Sequence, residues 1–183
     1  MTVQRAEILD YVTYSEQRDA IREAAMRCKR ARRMHVGPHL TFLFENHQTV
    51  RYQILEMVRV ERMVKESDIQ RELQVYNELL GGPGELAATL LIEIEDEALR
   101  AELLPKWLDL MPTLYLERAD GTRVAPTFDE RQVGRGRLSA VQYLKFAVGG
   151  PPVAIGCSHE DPLLFGREPL TEAQAAALAA DLG

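Results

Sequence analysis

The sequence predicts an α+β fold, with a mainly antiparallel sheet of about five to six strands packed against N-terminal helices and a C-terminal helix. Three observations predict it. Apolar residues recur at helical spacing through residues 1–80, the period changes to two within 85–170, and a capping box opens an Ala/Leu-rich helix at 171–182. No internal repeat divides the 183 residues, and they read as a single domain, 1–183.

Taken in order, residues 1–12 read as an extended arm. Thr13-x-x-Glu16 reads as a capping box that starts a helix near Tyr14 and carries it to about Arg33. Gln17, Ile21, Ala24, Ala25 and Cys28 form a narrow small-residue face, which makes Cys28 a core thiol. Gly37-Pro38 marks a turn into the strand Leu40–Phe44, which is rich in β-formers. Asn46 is placed to cap a helix from about His47 to Met63, with Val50, Ile54, Met57, Val58 and Val64 on one face. Ser67 caps the next helical segment, whose stripe is Ile69, Leu73, Tyr76 and Leu80, and Gly81-Gly-Pro-Gly84 breaks the chain.

The run Leu86–Ile94 is apolar and ends in alternation, as a strand does. Asp96 caps a short helix that Pro105 ends, with Trp107, Leu108 and Leu110 packing nearby. Thr113–Arg118 and Thr122–Ala125 flank Asp120-Gly121, a hairpin turn. A polar loop over 129–137 leads to a long strand, Leu138–Val148. Ala140, Gln142, Leu144 and Phe146 fall on one of its faces, Val141, Tyr143 and Lys145 on the other. Val153–Cys157 is the last strand, and Thr171-x-x-Gln174 opens the final helix.

Composition narrows the function classes. The 22 basic and 28 acidic side chains give a net charge of −6, which argues against bulk nucleic-acid or anionic-membrane binding. No apolar run is long enough to span a bilayer. The start, MTVQRAEILD, lacks the apolar core of a signal peptide, so a cytoplasmic location is expected. Cys28 and Cys157 are too few for a disulfide scaffold.

The chain centres on residues 34–63. Glu61 falls in the middle of the apolar face of that helix and Gln53 on its flank, and an unpaired buried carboxylate costs several kcal/mol. Glu61 is therefore expected to be at least half buried with a partner. Glu45, Asn46, Gln53, Glu56, Glu61, Tyr76, Asn77 and Gln142 form the candidate polar constellation, either a structural hydrogen-bond network or a ligand pocket. On the first helix, Arg18, Arg22, Lys29 and Arg33 make a basic stripe that would suit an anion or a partner's acidic surface if it is not a solvated face. Cys157 and His159 are two apart in a strand and point the same way, a weak pattern for iron or zinc or for a thiol nucleophile with its base. No P-loop, dinucleotide glycine pattern, Gly-x-Ser-x-Gly elbow or Glu-x-x-His pair is present.

Val36-Gly-Pro-x-Leu-Thr-Phe-x-Phe-Glu-Asn46, Tyr52-Gln-Ile-x-Glu-Met57 and Arg59-x-Glu61 resemble a bacterial domain-of-unknown-function family, the one numbered 3501. Glu72-Leu-x-x-Tyr-Asn77, Glu85-Leu-x-Ala-Thr89 with Glu93-Ile94, and Ser139-Ala-Val-Gln-Tyr-Leu144 look like its later blocks, so the resemblance covers nearly the whole chain. His47, after Asn46, departs from it. The family carries no assigned activity. The resemblance implies a redox or peroxide-defence context, because members tend to be encoded beside rubrerythrin-like proteins and iron–sulfur oxidoreductases. The first expectation is thus a non-enzymatic accessory or ligand-binding protein with such partners and a small-molecule ligand. The rival is a small metal- or thiol-dependent enzyme using Cys157, His159 and glutamates. A third reading is an anion or nucleic-acid binder acting through the basic stripe.

Overall fold

The computed structural model describes residues 2–134 and 136–182. Met1, Arg135 and Gly183 lie outside the described residues, so the loop at 129–137 is seen without Arg135. The fold is α+β, and the described residues form eight strands in two four-stranded antiparallel sheets rather than one sheet of five or six. The first sheet has the order β1 (Arg33–Val36), β2 (Leu40–Glu45), β3 (Leu86–Ile92), β6 (Val141–Phe146). The second has the order β5 (Arg123–Val124), β4 (Leu114–Arg118), β7 (Pro152–Cys157), β8 (Gly166–Pro169). Their inner faces share one core: Phe42, Phe44, Leu90 and Phe146 from the first sheet meet Leu114, Leu116 and Ile155 from the second, with Trp107 fully buried among them. Helices α4 (Glu97–Leu103) and α5 (Glu172–Asp181) add Leu103 and Leu178 to this core.

A second cluster belongs to the N-terminal helices α1 (Tyr11–Arg30), α2 (His47–Val60) and α3 (Glu66–Asn77), through Tyr14, Val50, Ile54, Leu55, Val58, Ile69 and Leu73. The first residues are not a loose arm. Val3 and Ile8 are buried here, a short 3-10 turn spans Arg5–Glu7, and the Asn77 side-chain amide grips both backbone groups of Val3 at 2.8 and 3.0 Å. Helix α1 begins three residues earlier than the Thr13 box suggests. Asp10 is its cap, accepting from Val12 N and Thr13 N, and Thr13 turns its own hydroxyl onto that carboxylate. Gln17 is exposed, and Tyr14 and Ala25 are the buried positions of the helix.

Helix α1 also stops earlier, because Arg33–Val36 pairs with β2 in a hairpin whose tight turn uses Gly37 at φ +58°. Residue Asn46 caps α2 as expected, in a reciprocal pair with Thr49. The end of α2 differs from the expectation. Arg62 takes the left-handed conformation (φ 47°), Met63 N donates to Val58 O at 2.9 Å and Arg62 N to Arg59 O at 3.2 Å, a Schellman stop made without glycine. Met63 then folds back onto the helical cluster while Val64 points to solvent.

Lys65, not Ser67, stands at the cap of α3. The Asp96 cap, the Asp120-Gly121 hairpin and the Thr171–Gln174 box form as the sequence indicates. The long strand shortens to Val141–Phe146 but keeps its faces, with Gln142, Leu144 and Phe146 buried and Val141 and Tyr143 exposed. Strand β8 carries no apolar alternation to announce it. It is a polar, exposed edge paired with β7.

Candidate functional site

Helix α2 faces α1 with Glu56, and this carboxylate is the hub of the helical layer. It accepts from the Tyr14 hydroxyl at 2.6 Å, Arg18 Nε at 2.8 Å and Arg59 Nη2 at 3.0 Å. Burial pushes the Glu56 carboxyl up, but hydrogen bonds from Arg18, Tyr14 and Arg59 outweigh it and hold it at about 2. Burial raises the Tyr14 phenol above its ordinary range, and Glu56 beside it adds to the rise. Three donors thus converge on one carboxylate, with Arg59 Nε buried and without a partner among the described residues, and the convergence joins two helices.

Glu61 overturns its expectation. It is the C-cap residue of α2, exposed, and among the described residues its carboxylate meets no hydrogen-bond or ionic partner. The Schellman stop swings it off the apolar face. Gln53 and Tyr76 stay together: burial raises the Tyr76 phenol, and a hydrogen bond with Gln53 opposes the rise. Asn77 is used up on Val3.

Glu45 and Asn46 sit at a second junction. Glu45 accepts from Thr49 Oγ1 at 2.5 Å and Thr89 Oγ1 at 3.2 Å. Asn46 caps α2 and donates from Nδ2 to Asp181 at 3.1 Å. Asp181 in turn accepts from Nε and Nη2 of the Arg32 guanidinium, at 2.6 and 2.8 Å, with both side chains about nine-tenths buried. Arg32 also donates to the Cys28 carbonyl, and its Nη1 lies 3.1 Å from Cys28 Sγ. The end of α5 is thus tied to the end of α1 and the start of α2. Gln142 bonds to neither junction and is fully buried on the inner face of β6. Its Nε2 donates to Ser139 O at 2.9 Å, and its Oε1 meets no donor among the described residues.

The structure therefore distributes the eight candidates over several separate places instead of one pocket. The basic stripe is broken in the same way. Arg18 is bound to Glu56, Lys29 Nζ lies 5.3 Å over the Tyr52 ring, and Arg33 is not on the helix at all but on β1, 3.2 Å from Glu93. Arg22 alone of the four is exposed and without a partner among the described residues.

Cys157 and His159 do not act on each other through the imidazole. Cys157 is buried with Thr113 Oγ1 at 3.3 Å from its sulfur, and burial pushes the thiol up. The group of His159 that reaches Cys157 is its backbone N–H. The ring is occupied on both sides: Nδ1 accepts from Asp161 N at 3.0 Å, so Nε2 carries the proton and donates to Asp109 at 3.0 Å. No ring lone pair is left for a metal or a thiol in this arrangement. Among the described residues, no three His, Cys, Asp or Glu side chains gather as a ligand set.

A concavity lies where the sequence offers no motif. It has a volume of about 370 Å³ and opens between the outer face of β3 and β6, the end of α3 and the loop after β5. Thr89, Tyr143 and Lys145 line it from the sheet, Glu78 and Leu79 from the helix end, and Thr127, Phe128, Asp129 and Gln132 from the loop. The loop is anchored to the exposed edge of β6. Thr127 exchanges both backbone hydrogen bonds with Lys145, and the Gln132 side chain accepts from Tyr143 N at 2.7 Å and donates to Tyr143 O at 3.3 Å. The alternation of Val141, Tyr143 and Lys145 is the signal that could have pointed here, since it puts an aromatic ring and an ammonium on one face. Nothing local says what stands opposite them.

The family described as Protein of unknown function (DUF3501) matches residues 2–182. The chain is also similar to a solved structure, the crystal structure of a novel protein of unknown function from Burkholderia pseudomallei K96243. The identity is 32%, all of both chains is covered and the TM-score is 0.90. Among curated proteins, none matches.

Proposed function

For this chain, which belongs to the family described as Protein of unknown function (DUF3501), we propose a non-catalytic role: binding of a small molecule in the cleft between the outer sheet face, α3 and the 127–132 loop. The observation that carries the reading is the cleft itself. Its volume of about 370 Å³ suits a small ligand, and apolar Leu79 and Phe128 stand beside convergent polar groups on Thr89, Tyr143 and Lys145. The thiol-enzyme reading is less well supported, because Cys157 is buried with its thiol pushed up and the His159 ring is committed elsewhere. Redox proteins of the rubrerythrin and iron–sulfur kinds are the partners to try first, on the strength of the family resemblance.

Thr127→Trp, in the exposed rim of the cleft, tests the reading. A ligand at 100 times its Kd stabilises the native state by about 2.7 kcal/mol. Metabolites that raise the melting temperature of the wild type should leave that of Thr127→Trp unchanged. Equal shifts in both proteins, or none in either, contradict the proposal.

A further inference from the structure

The cleft is lined by opposite charges that do not meet. Lys145 is half-buried on β6 and Glu78 is the C-cap residue of α3. Among the described residues neither side chain has an ionic partner, and Lys145 does not lie over an aromatic ring. The third charge, Asp129, is already claimed by Arg131. The backbone explains why the first two stay apart. Lys145 is held in β6 by its pairing with Ala87 on one side and Thr127 on the other, while Glu78 is held by the end of α3.

An ammonium from the sheet wall and a carboxylate from the helix end of one small cavity are complementary to a molecule that carries both charges. Apolar groups stand beside them in Leu79 and Phe128. Resting on the binding reading above, we infer that the cleft takes a small zwitterion of the amino-acid class. Its carboxylate faces Lys145. Its ammonium faces Glu78 and the negative end of α3, where a helix favours a cation. Its apolar side chain lies against Phe128 and Leu79.

Calorimetric titration with four probes of one skeleton tests this: L-phenylalanine, phenethylamine, 3-phenylpropionate and 2-phenylethanol. L-phenylalanine is expected to bind tightest, with loss of either charge weakening binding by about tenfold or more. Lys145→Met should remove the preference for L-phenylalanine over phenethylamine. Glu78→Gln should remove its preference over 3-phenylpropionate. Both substitutions alter partly or fully exposed side chains, and circular dichroism is the check that each variant folds. A singly charged or neutral probe that binds as well as L-phenylalanine, with binding lost in Thr127→Trp, overturns the zwitterion and leaves the cleft reading standing. No heat from any probe, together with wild-type and Thr127→Trp melting curves that respond alike to the metabolite set, overturns both.

Discussion

Replacing Glu56 by glutamine keeps the shape of the side chain and removes the charge on which Tyr14, Arg18 and Arg59 converge. Burial opposes the charge, but the hydrogen bonds from Arg18, Tyr14 and Arg59 bring the carboxyl from an ordinary 4.5 down to about 2. At about 1.4 kcal/mol per pH unit, that difference corresponds to at most about 3.5 kcal/mol of folding free energy. The Glu56 side chain is 16% exposed and Arg18 is 32% exposed, so solvent screens part of the interaction. A loss of about 2 kcal/mol at pH 7 is the expectation for Glu56→Gln. Glu56→Leu should lose about 1 kcal/mol more, because the buried Tyr14 hydroxyl is then without an acceptor. The sign with pH follows from a lowered native pKa. The stabilisation is complete above 4.5 and disappears as pH falls through about 2. Urea unfolding of the wild type and Glu56→Gln between pH 7 and pH 2 should show their stabilities converging below 4.5. Glu61→Gln, altering a carboxylate in solvent, is the control and should stay within about 0.5 kcal/mol of the wild type. A gap between the wild type and Glu56→Gln that is independent of pH, or below about 0.5 kcal/mol at pH 7, refutes the hub.

Two further outcomes follow from the same kind of reasoning. Asp181→Leu leaves the Arg32 guanidinium nine-tenths buried without its counter-charge and should cost about 3–5 kcal/mol, whereas Arg32→Met with Asp181→Leu should recover most of that loss; a double variant as unstable as the single one, measured by urea unfolding, speaks against a buried ion pair. Under native conditions N-ethylmaleimide should label half-buried Cys28 well before buried Cys157, by peptide mass mapping over time, and equal labelling rates would contradict the thiol environment described.

The short-range grammar of the chain was legible, and its long-range consequences were not. Asn46, Asp96 and Thr171 cap their helices because an oxygen side chain before an apolar period needs only its next three residues to act. The same locality misled at Glu61. Helical spacing put it on the apolar face, but Arg62 ends the helix in a left-handed conformation that glycine usually signals and arginine does not. Glu56, one turn earlier, was named among the polar candidates, yet its role as the hub depends on Tyr14 and Arg18, some 40 positions away. Strand β8 escaped notice because it is a short, exposed edge, where pairing rather than hydrophobic pattern makes the strand, and β1 because its two inward residues, Met34 and Val36, are too few to mark a period of two. The cleft was least legible of all. Its walls come from Glu78, Thr89, Thr127 and Lys145, and only the pairing of β3 with β6 and the anchoring of Thr127 on Lys145 bring them together.

The position of binding is the central matter, and amide chemical shifts recorded while L-phenylalanine is titrated into the isotope-labelled protein address it most directly. The largest changes are expected at Leu79, Thr89, Thr127, Gln132 and Tyr143, with Glu56, Glu61 and Asn46 unmoved. Saturable shifts centred instead on Asn46 and Asp181, or on the contact of α1 with α2, would place the site in the polar junctions and contradict the assignment to the cleft.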